Sequence, residues 1–229
     1  MSELESQFQV SMNTIRSDIK YLEKKGIVKK VYGGVEISTN AEMTAFEYRT
    51  EKRSRDKNNI AETAAHYIAE GDIIFIDSGT TTSPIIDYID DKISLAIITN
   101  NLVVVTKALQ KPNINVISLP GSLARKTLSL CDTTTPQYLE RLNLNKAFIA
   151  TTAINADGIL TNASELECQI KKTAIRKSSY NILMADSSKF GTTSLLDVAR
   201  LSDFQVVITD SKLEKKYRDK IKSSSLVVV

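Results

Sequence analysis

With 229 residues, 42% of them hydrophobic and 25% charged, the chain has the size and composition of a folded protein built from one ordinary domain and a smaller one. Its longest apolar runs, "DIIFID", "SLAIIT" and "SLVVV", are far too short for a membrane helix, and no charged-then-apolar leader opens the chain; a cytoplasmic protein with no membrane partner is expected. Net charge is only +3, and Cys131 and Cys168 show neither CxxC nor Cys/His ligand spacing, so the two cysteines read as reduced structural thiols rather than as a zinc site or a disulfide framework.

Residues 1–37 differ in character from the rest. "SELESQF" has the length of a short helix, and helical spacing of Ile15, Ile19 and Leu22 follows, ending at "KKG", where Gly26 supplies the left-handed cap. "IVKKVYGGVEI" then reads as a small hairpin. Helix followed by hairpin is the end of a winged helix-turn-helix. Ser11 is placed as the cap or turn residue, and Asn13, Thr14, Arg16, Ser17 and Lys20 fall on the early exposed face, where a recognition helix needs short hydrogen-bonding groups and cations. Lys29 and Lys30, with Lys24 and Lys25, are positioned for backbone phosphates. Charge and period by themselves leave an ordinary amphipathic helix with solubilising lysines equally open. Residues 38–55 show no strand or helix period and read as a linker; a second basic cluster, "RTEKRSRDK" from Arg49 to Lys57, overlaps its end and has the look of a solvated face.

Residues 56–229 alternate apolar β-branched runs with longer amphipathic ones. Strands are predicted at 72–77, 94–99, 114–119, 146–151, 180–185, 205–209 and 226–229, and helices at 58–70, 82–90, 102–110, 136–142, 165–178 and 213–222. That order predicts βαβ units and a mainly parallel sheet, giving an α/β sensor or enzyme domain.

In "GDIIFIDSGTTTSPIIDYI" a strand runs into a loop of small hydroxylated residues and then a helix with Pro84 in its first turn, so amides and hydroxyls converge where a helix dipole favours an anion. The loop fits neither GxGxxG nor GxxxxGK[ST], so nucleotide cofactors are not indicated and none is expected. A plain strand-to-helix cap is the competing reading. Two more strand ends add polar groups, Thr99 and Asn100 after "SLAIITN", and Asp186 and Lys189 in "ADSSKFG"; "PGSLARKTLS" adds Arg125 and Lys126 on a loop. Ligands of parallel sheets collect outside the carboxyl ends of the strands, so a small anionic polyol is the expected guest.

"VSMNTIRSDIKYLEKKGIVKKVYGGV" closely resembles the end of the helix-turn-helix of the DeoR family of bacterial transcription repressors. "DSGTTT", "LAIITNNL", "NKAFIATTAINADGILT", "ELECQIKKTAI" and "LMADSSKFG" resemble that family's effector domain in the same order. The resemblance implies a partial winged helix-turn-helix followed by a sensor domain related to ribose-5-phosphate isomerase and coenzyme A transferases, with operator DNA and a phosphorylated sugar as partners in a homo-oligomer. Carried over by motif, Asp77, Ser78, Gly79, Thr80, Thr81, Thr99, Asn100, Asp186 and Lys189 would line the effector pocket, with Glu167 and Lys171 from the Glu-x-x-x-Lys helix. Departures are Ser17, where the family usually has a second arginine; Tyr32, where histidine is common; Pro120 in place of a glycine; and Asp132, a carboxylate that would disfavour a phosphate if it faced the pocket. The family also has a helix ahead of "SELESQF", for which this sequence starts too late; an N-terminal truncation is the expectation drawn from that.

No catalytic residue is expected. The alternatives are a sugar-phosphate isomerase-like enzyme, for which Asp77, Asp186 and Glu167 offer carboxylates but a DNA-reading segment has no use, and a sensor that has lost DNA binding. The lone histidine, His66, reads as structural, and no Ser/His/Asp or metal-ligand set is present.

Overall fold

A computed structural model of the protein describes residues 2–24, 26–38, 41–221 and 224–229. The chain separates into two units, Met1–Lys52 and Arg53–Val229.

In the first unit, α1 (Ser2–Phe8) is the "SELESQF" segment and α2 (Met12–Lys24) the helix read from the spacing of its apolar residues. Ser11 caps α2: its Oγ accepts from Thr14 N at 3.2 Å, satisfying one of the amides that a helix start leaves unpaired. Ile15 and Ile19, one turn apart, are the buried residues of α2. The helix ends as the sequence predicts. Gly26 adopts φ 68°, and the Gly26 and Ile27 amides return to the carbonyls of Glu23 and Leu22, the paired bonds of a left-handed C-cap. The hairpin follows as β1 (Val28–Val31) and β2 (Gly34–Ile37), paired from Val28↔Ile37 to Val31↔Gly34. Gly33 takes φ 82° in its turn, a conformation open to glycine at little cost. One expectation needs correcting: the segment read as an irregular linker contains α3 (Ala41–Glu51). Phe46 is buried while Glu47, Tyr48 and Thr50 are exposed, too narrow an apolar stripe to register as a helical period.

The second unit begins with α4 (Ser54–Ala65) and β3 (Ile73–Ile76), then a six-residue 3-10 helix at Ser83–Tyr88. β4 (Leu95–Thr99), α5 (Leu102–Ala108), β5 (Ile114–Ser118), the short hairpin β6 (Ser122–Ala124) and β7 (Ser129–Cys131), and α6 (Thr134–Leu139) come next. β8 (Leu144–Ile149), β9 (Ala153–Ile154), β10 (Ile159–Asn162), α7 (Glu165–Lys177), β11 (Ser178–Met184), β12 (Leu196–Arg200), β13 (Val206–Thr209), α8 (Lys215–Arg218) and β14 (Ser225–Val228) complete it.

Seven strands form one sheet in the order β14-β13-β11-β8-β3-β4-β5, and each pair is parallel. All seven are strands that the sequence predicts. Alternation along each strand divides the core into two layers. Ile74, Ile76, Ile97, Phe148, Ile182, Met184, Val206 and Ile208 pack with α4 and α5 on one face. Phe75, Ile98, Ala147, Ile149, Leu183 and Val207 pack on the other, among residues of α6, α7 and the antiparallel sheet β12-β10-β9. The small sheet and the β6–β7 hairpin are absent from the sequence expectations. The predicted helix 82–90 is only the 3-10 segment, and 213–222 contains the single turn α8. Among the described residues no helix is long and apolar enough to cross a membrane.

Candidate functional site

Because every strand of the large sheet runs the same way, all their carboxyl ends lie along one edge, and the polar residues that follow β3, β4, β8, β11 and β13 are brought together there. Asp77, immediately after β3, is 1% exposed. Its Oδ2 accepts from Ala150 N at 3.0 Å and pairs with the Lys171 ammonium, which also donates to Ala150 O at 2.9 Å. Lys171 is itself buried. It therefore neutralises Asp77 and ties α7 to the ends of β3 and β8. Glu167, one turn earlier on α7, accepts from Asn162 Nδ2 at 3.0 Å, and Asn162 Oδ1 accepts from Thr152 Oγ1 at 2.7 Å.

The loop after β3 is held from within. Thr82 Oγ1 donates to Asp77 O at 2.7 Å and accepts from Gly79 N at 3.1 Å; Ser83 Oγ donates to Gly79 O at 2.8 Å. Ser78 and Thr81 are buried, Gly79 and Thr80 half-buried. Gly79 is required by close approach: a Cβ there would lie 2.3 Å from Ala150 Cβ. Since the segment beyond is a short 3-10 helix, the anion-binding capacity expected from an α-helix dipole is largely absent, and amides and hydroxyls remain to supply it.

Thr99 and Asn100 both reach this edge but serve differently. Thr99 Oγ1 donates to Ile76 O at 2.6 Å and accepts from Asn101 N at 3.0 Å, bracing β3 against β4. Asn100 is 1% exposed, and its Oδ1 has no hydrogen-bond partner among the described residues, so it retains an acceptor to offer. Asp186 is also 1% exposed and its Oδ1 accepts from Ser188 N at 3.1 Å; Lys189 is half-buried at the end of the same turn. Arg125 stands apart on the exposed β6–β7 turn, with no described contact to the other site residues. Asp132 spends its Oδ1 on Thr134 N at 2.8 Å and Thr134 Oγ1 at 2.7 Å, opening α6. Those hydrogen bonds, that from the Thr134 hydroxyl foremost, hold its carboxyl below the usual range. Its Oδ1 is thereby engaged at the start of α6.

Four residues of this edge escape sequence reasoning. Lys57, placed in a solvated basic cluster, is 5% exposed and donates to Thr80 Oγ1 at 3.0 Å. Arg53 Nη1 donates to Ser187 Oγ at 3.0 Å and stands 3.6 Å from Asp186 Oδ1. Asn101 Nδ2 donates to Asp77 O at 3.0 Å and Ser83 Oγ at 2.9 Å. Asp210, after β13, accepts from the amides of Ser187 at 2.6 Å and Lys212 at 2.9 Å; burial raises its pKa, and these bonds outweigh burial to hold it below the ordinary value. Only position at a strand end, for Asn101 and Asp210, signalled any of them. Both cysteines are free and buried, and burial pushes their thiols up.

On the first unit, Asn13, Thr14, Arg16, Ser17 and Lys20 are all exposed, on the faces of α2 that Ile15 and Ile19 do not use. Ser11 Oγ lies 3.0 Å from Thr14 Oγ1. Lys29 and Lys30 are exposed but locally paired, with Glu36 at 2.6 Å and Glu23 at 2.6 Å; the Lys30 hydrogen bond holds the Glu23 carboxyl below its usual range. Pairs this exposed add little to stability, so both lysines can exchange partners cheaply. Tyr32 is fully exposed at the tip of the hairpin.

The chain thus joins a helix, a capped second helix and a wing to a parallel-sheet unit whose carboxyl edge is lined with buried polar groups. Residues 1–41 match the family model of the DeoR-like helix-turn-helix domain, and residues 52–211 that of the DeoR C terminal sensor domain. The chain belongs to the DeoR family of transcriptional regulators. It is 38% identical to the HTH-type transcriptional regulator IolR of Bacillus subtilis over 95% of this chain and 86% of that protein. It is 29% identical to the HTH-type transcriptional regulator GlpR of Haloferax volcanii, over 96% and 86%. With the glycerol-3-phosphate regulon repressor of Escherichia coli the identity is 27%, over 91% and 83%. Among solved structures, ribose 5-phosphate isomerase A of Methanocaldococcus jannaschii aligns with TM-score 0.44 and 14% identity over 60% of this chain and 54% of that one.

Proposed function

We propose that this protein represses a carbohydrate-utilisation operon: a homo-oligomer binds operator DNA through α2 and the β1–β2 wing, and a phosphorylated sugar bound at the carboxyl edge of the large sheet releases it. The observation that carries this reading is the presence, in one chain, of an exposed row of short polar and basic side chains on a capped helix and of a polar edge that includes the buried Lys57 and the half-buried Arg53. Relatives named as transcriptional regulators, and others named as repressors of a glycerol-3-phosphate regulon, support both the role and a phosphorylated polyol as the effector class. They also favour a regulator over an enzyme.

Effector and operator must weaken each other by the same factor, since their coupling is reciprocal. The test is fluorescence anisotropy on DNA flanking the gene, titrated with a panel of sugar phosphates and their unphosphorylated parents. One phosphate is expected to lower operator affinity while its parent sugar does not; DNA binding that ignores the whole panel would sink the effector half of the proposal. In the same assay, Arg16→Ala is expected to weaken operator binding roughly ten-fold or more, the usual effect of losing a guanidinium from a base edge or phosphate. Unchanged affinity would remove Arg16 from the DNA-facing surface.

A further inference from the structure

The first turn of α4 is fastened to three of the loops at the carboxyl edge. Arg53, at the N-cap position, donates to Ser187 after β11; Lys57 donates to Thr80 after β3; and Asp56 Oδ2 pairs with Lys212 Nζ after β13 at 2.7 Å. Arg53 is also the first residue of the second unit, so the chain arriving from the first enters through it. Its backbone is at φ 55°, ψ 33°, in the left-handed region, and no side-chain hydrogen bond caps the helix there. Non-glycine residues rarely hold that conformation unless surrounding contacts impose it. Here those contacts are the hydrogen bond that Lys57 N donates to Arg53 O at 3.0 Å and the guanidinium's anchorage to Ser187 and Asp186.

We propose that Arg53 couples the two units: its guanidinium reads an anion at the carboxyl edge, and its strained backbone converts the loss of the Ser187 and Asp186 anchorage into a new direction for the incoming chain. This rests on the reading of that edge as an anion site. A phosphate offers the guanidinium a stronger, doubly hydrogen-bonded partner than a serine hydroxyl at 3.0 Å and a carboxylate at 3.6 Å, the latter already accepting from Ser188. Once Arg53 turns to the phosphate, its left-handed backbone is no longer imposed from both sides, and relaxation redirects the residues before it. Lys57 stays in the site as the second cation, because it is buried inside α4 and has no comparable backbone strain.

The test uses the full chain and compares wild type, Arg53→Gly and Arg53→Lys. Glycine adopts the left-handed conformation without steric cost, so Arg53→Gly keeps the fold while deleting the guanidinium; Arg53→Lys keeps the charge without the fork. Inorganic phosphate and, in parallel, the sugar-phosphate panel are titrated by thermal midpoint, and hydrogen exchange of residues 46–57 is followed with and without each. In wild type the bound anion is expected to speed exchange at 53–57. Arg53→Gly should bind it roughly ten-fold more weakly and lose that response at saturation, with Arg53→Lys intermediate. Equal affinity in wild type and Arg53→Gly, or an exchange response that persists in Arg53→Gly, overturns the role of Arg53 and leaves the anion site standing. A wild-type chain that binds neither phosphate nor any sugar phosphate overturns the site itself and the coupling with it.

Discussion

Replacing Lys171 by methionine is expected to lower the stability of the second unit by about 3–5 kcal/mol, the usual cost of removing one partner from a buried ion pair. Asp77 would be left buried with a single backbone donor, Ala150 N, and α7 would lose its bond to Ala150 O. The chain has no tryptophan, so urea unfolding followed by circular dichroism is the suitable measurement. The expected signature is a large fall in midpoint at unchanged slope. Asp77→Asn in the presence of Lys171 should be costly too, because it strands a buried ammonium. The double variant, Asp77→Asn with Lys171→Met, should therefore lose much less than the sum of the single losses. If Lys171→Met alone costs under about 1 kcal/mol, the pair does not behave as a buried one.

Gly79→Ala carries the second large effect, and its cause is steric. The new Cβ would meet Ala150 Cβ at 2.3 Å and Thr82 Oγ1 at 3.2 Å, so the loop after β3 must move away from the end of β8. A loss of about 1–3 kcal/mol is expected, as for overpacking elsewhere in protein interiors. Anion binding should fall as well, since Thr80 and Thr81 ride on the displaced loop. Combining Gly79→Ala with Ala150→Gly exchanges the two side chains across the contact and should restore most of both properties. A double variant as impaired as Gly79→Ala would mean that this contact is not the reason for the glycine.

The second prediction turns on two residues that are adjacent in space but far apart in sequence, and the same separation marks where sequence reading stopped. The parallel strands were legible because the inner ones are covered on both faces: Ile73–Ile76, Leu95–Thr99 and Val206–Thr209 are short continuous apolar runs that solvent-facing strands do not show. The cap, turn and end of α2 were legible for a different reason. Ser11 and Gly26 act within a few residues of their own positions, so local chemistry names them. Strand direction then placed Asp77, Asn100 and Asp186 at one edge, since parallel strands end together.

What those side chains do at the edge was decided by tertiary structure. Asp77 and Lys171 meet only because α7, 94 residues away, crosses the ends of β3 and β8. Arg53 and Lys57 read as solvated basic residues from composition, since a charge run carries no record of which members turn inward; the first turn of α4 turns these two toward Ser187 and Thr80. α3 and the β9-β10-β12 sheet were likewise invisible, their strands and apolar stripe being too short to set a period against the background. Sequence by itself thus determined which elements form and where the polar residues gather, because those follow from periodicity and local hydrogen bonding. Partner choice among the gathered charges depends on long-range geometry and on which groups lose water, and only the folded chain decides that.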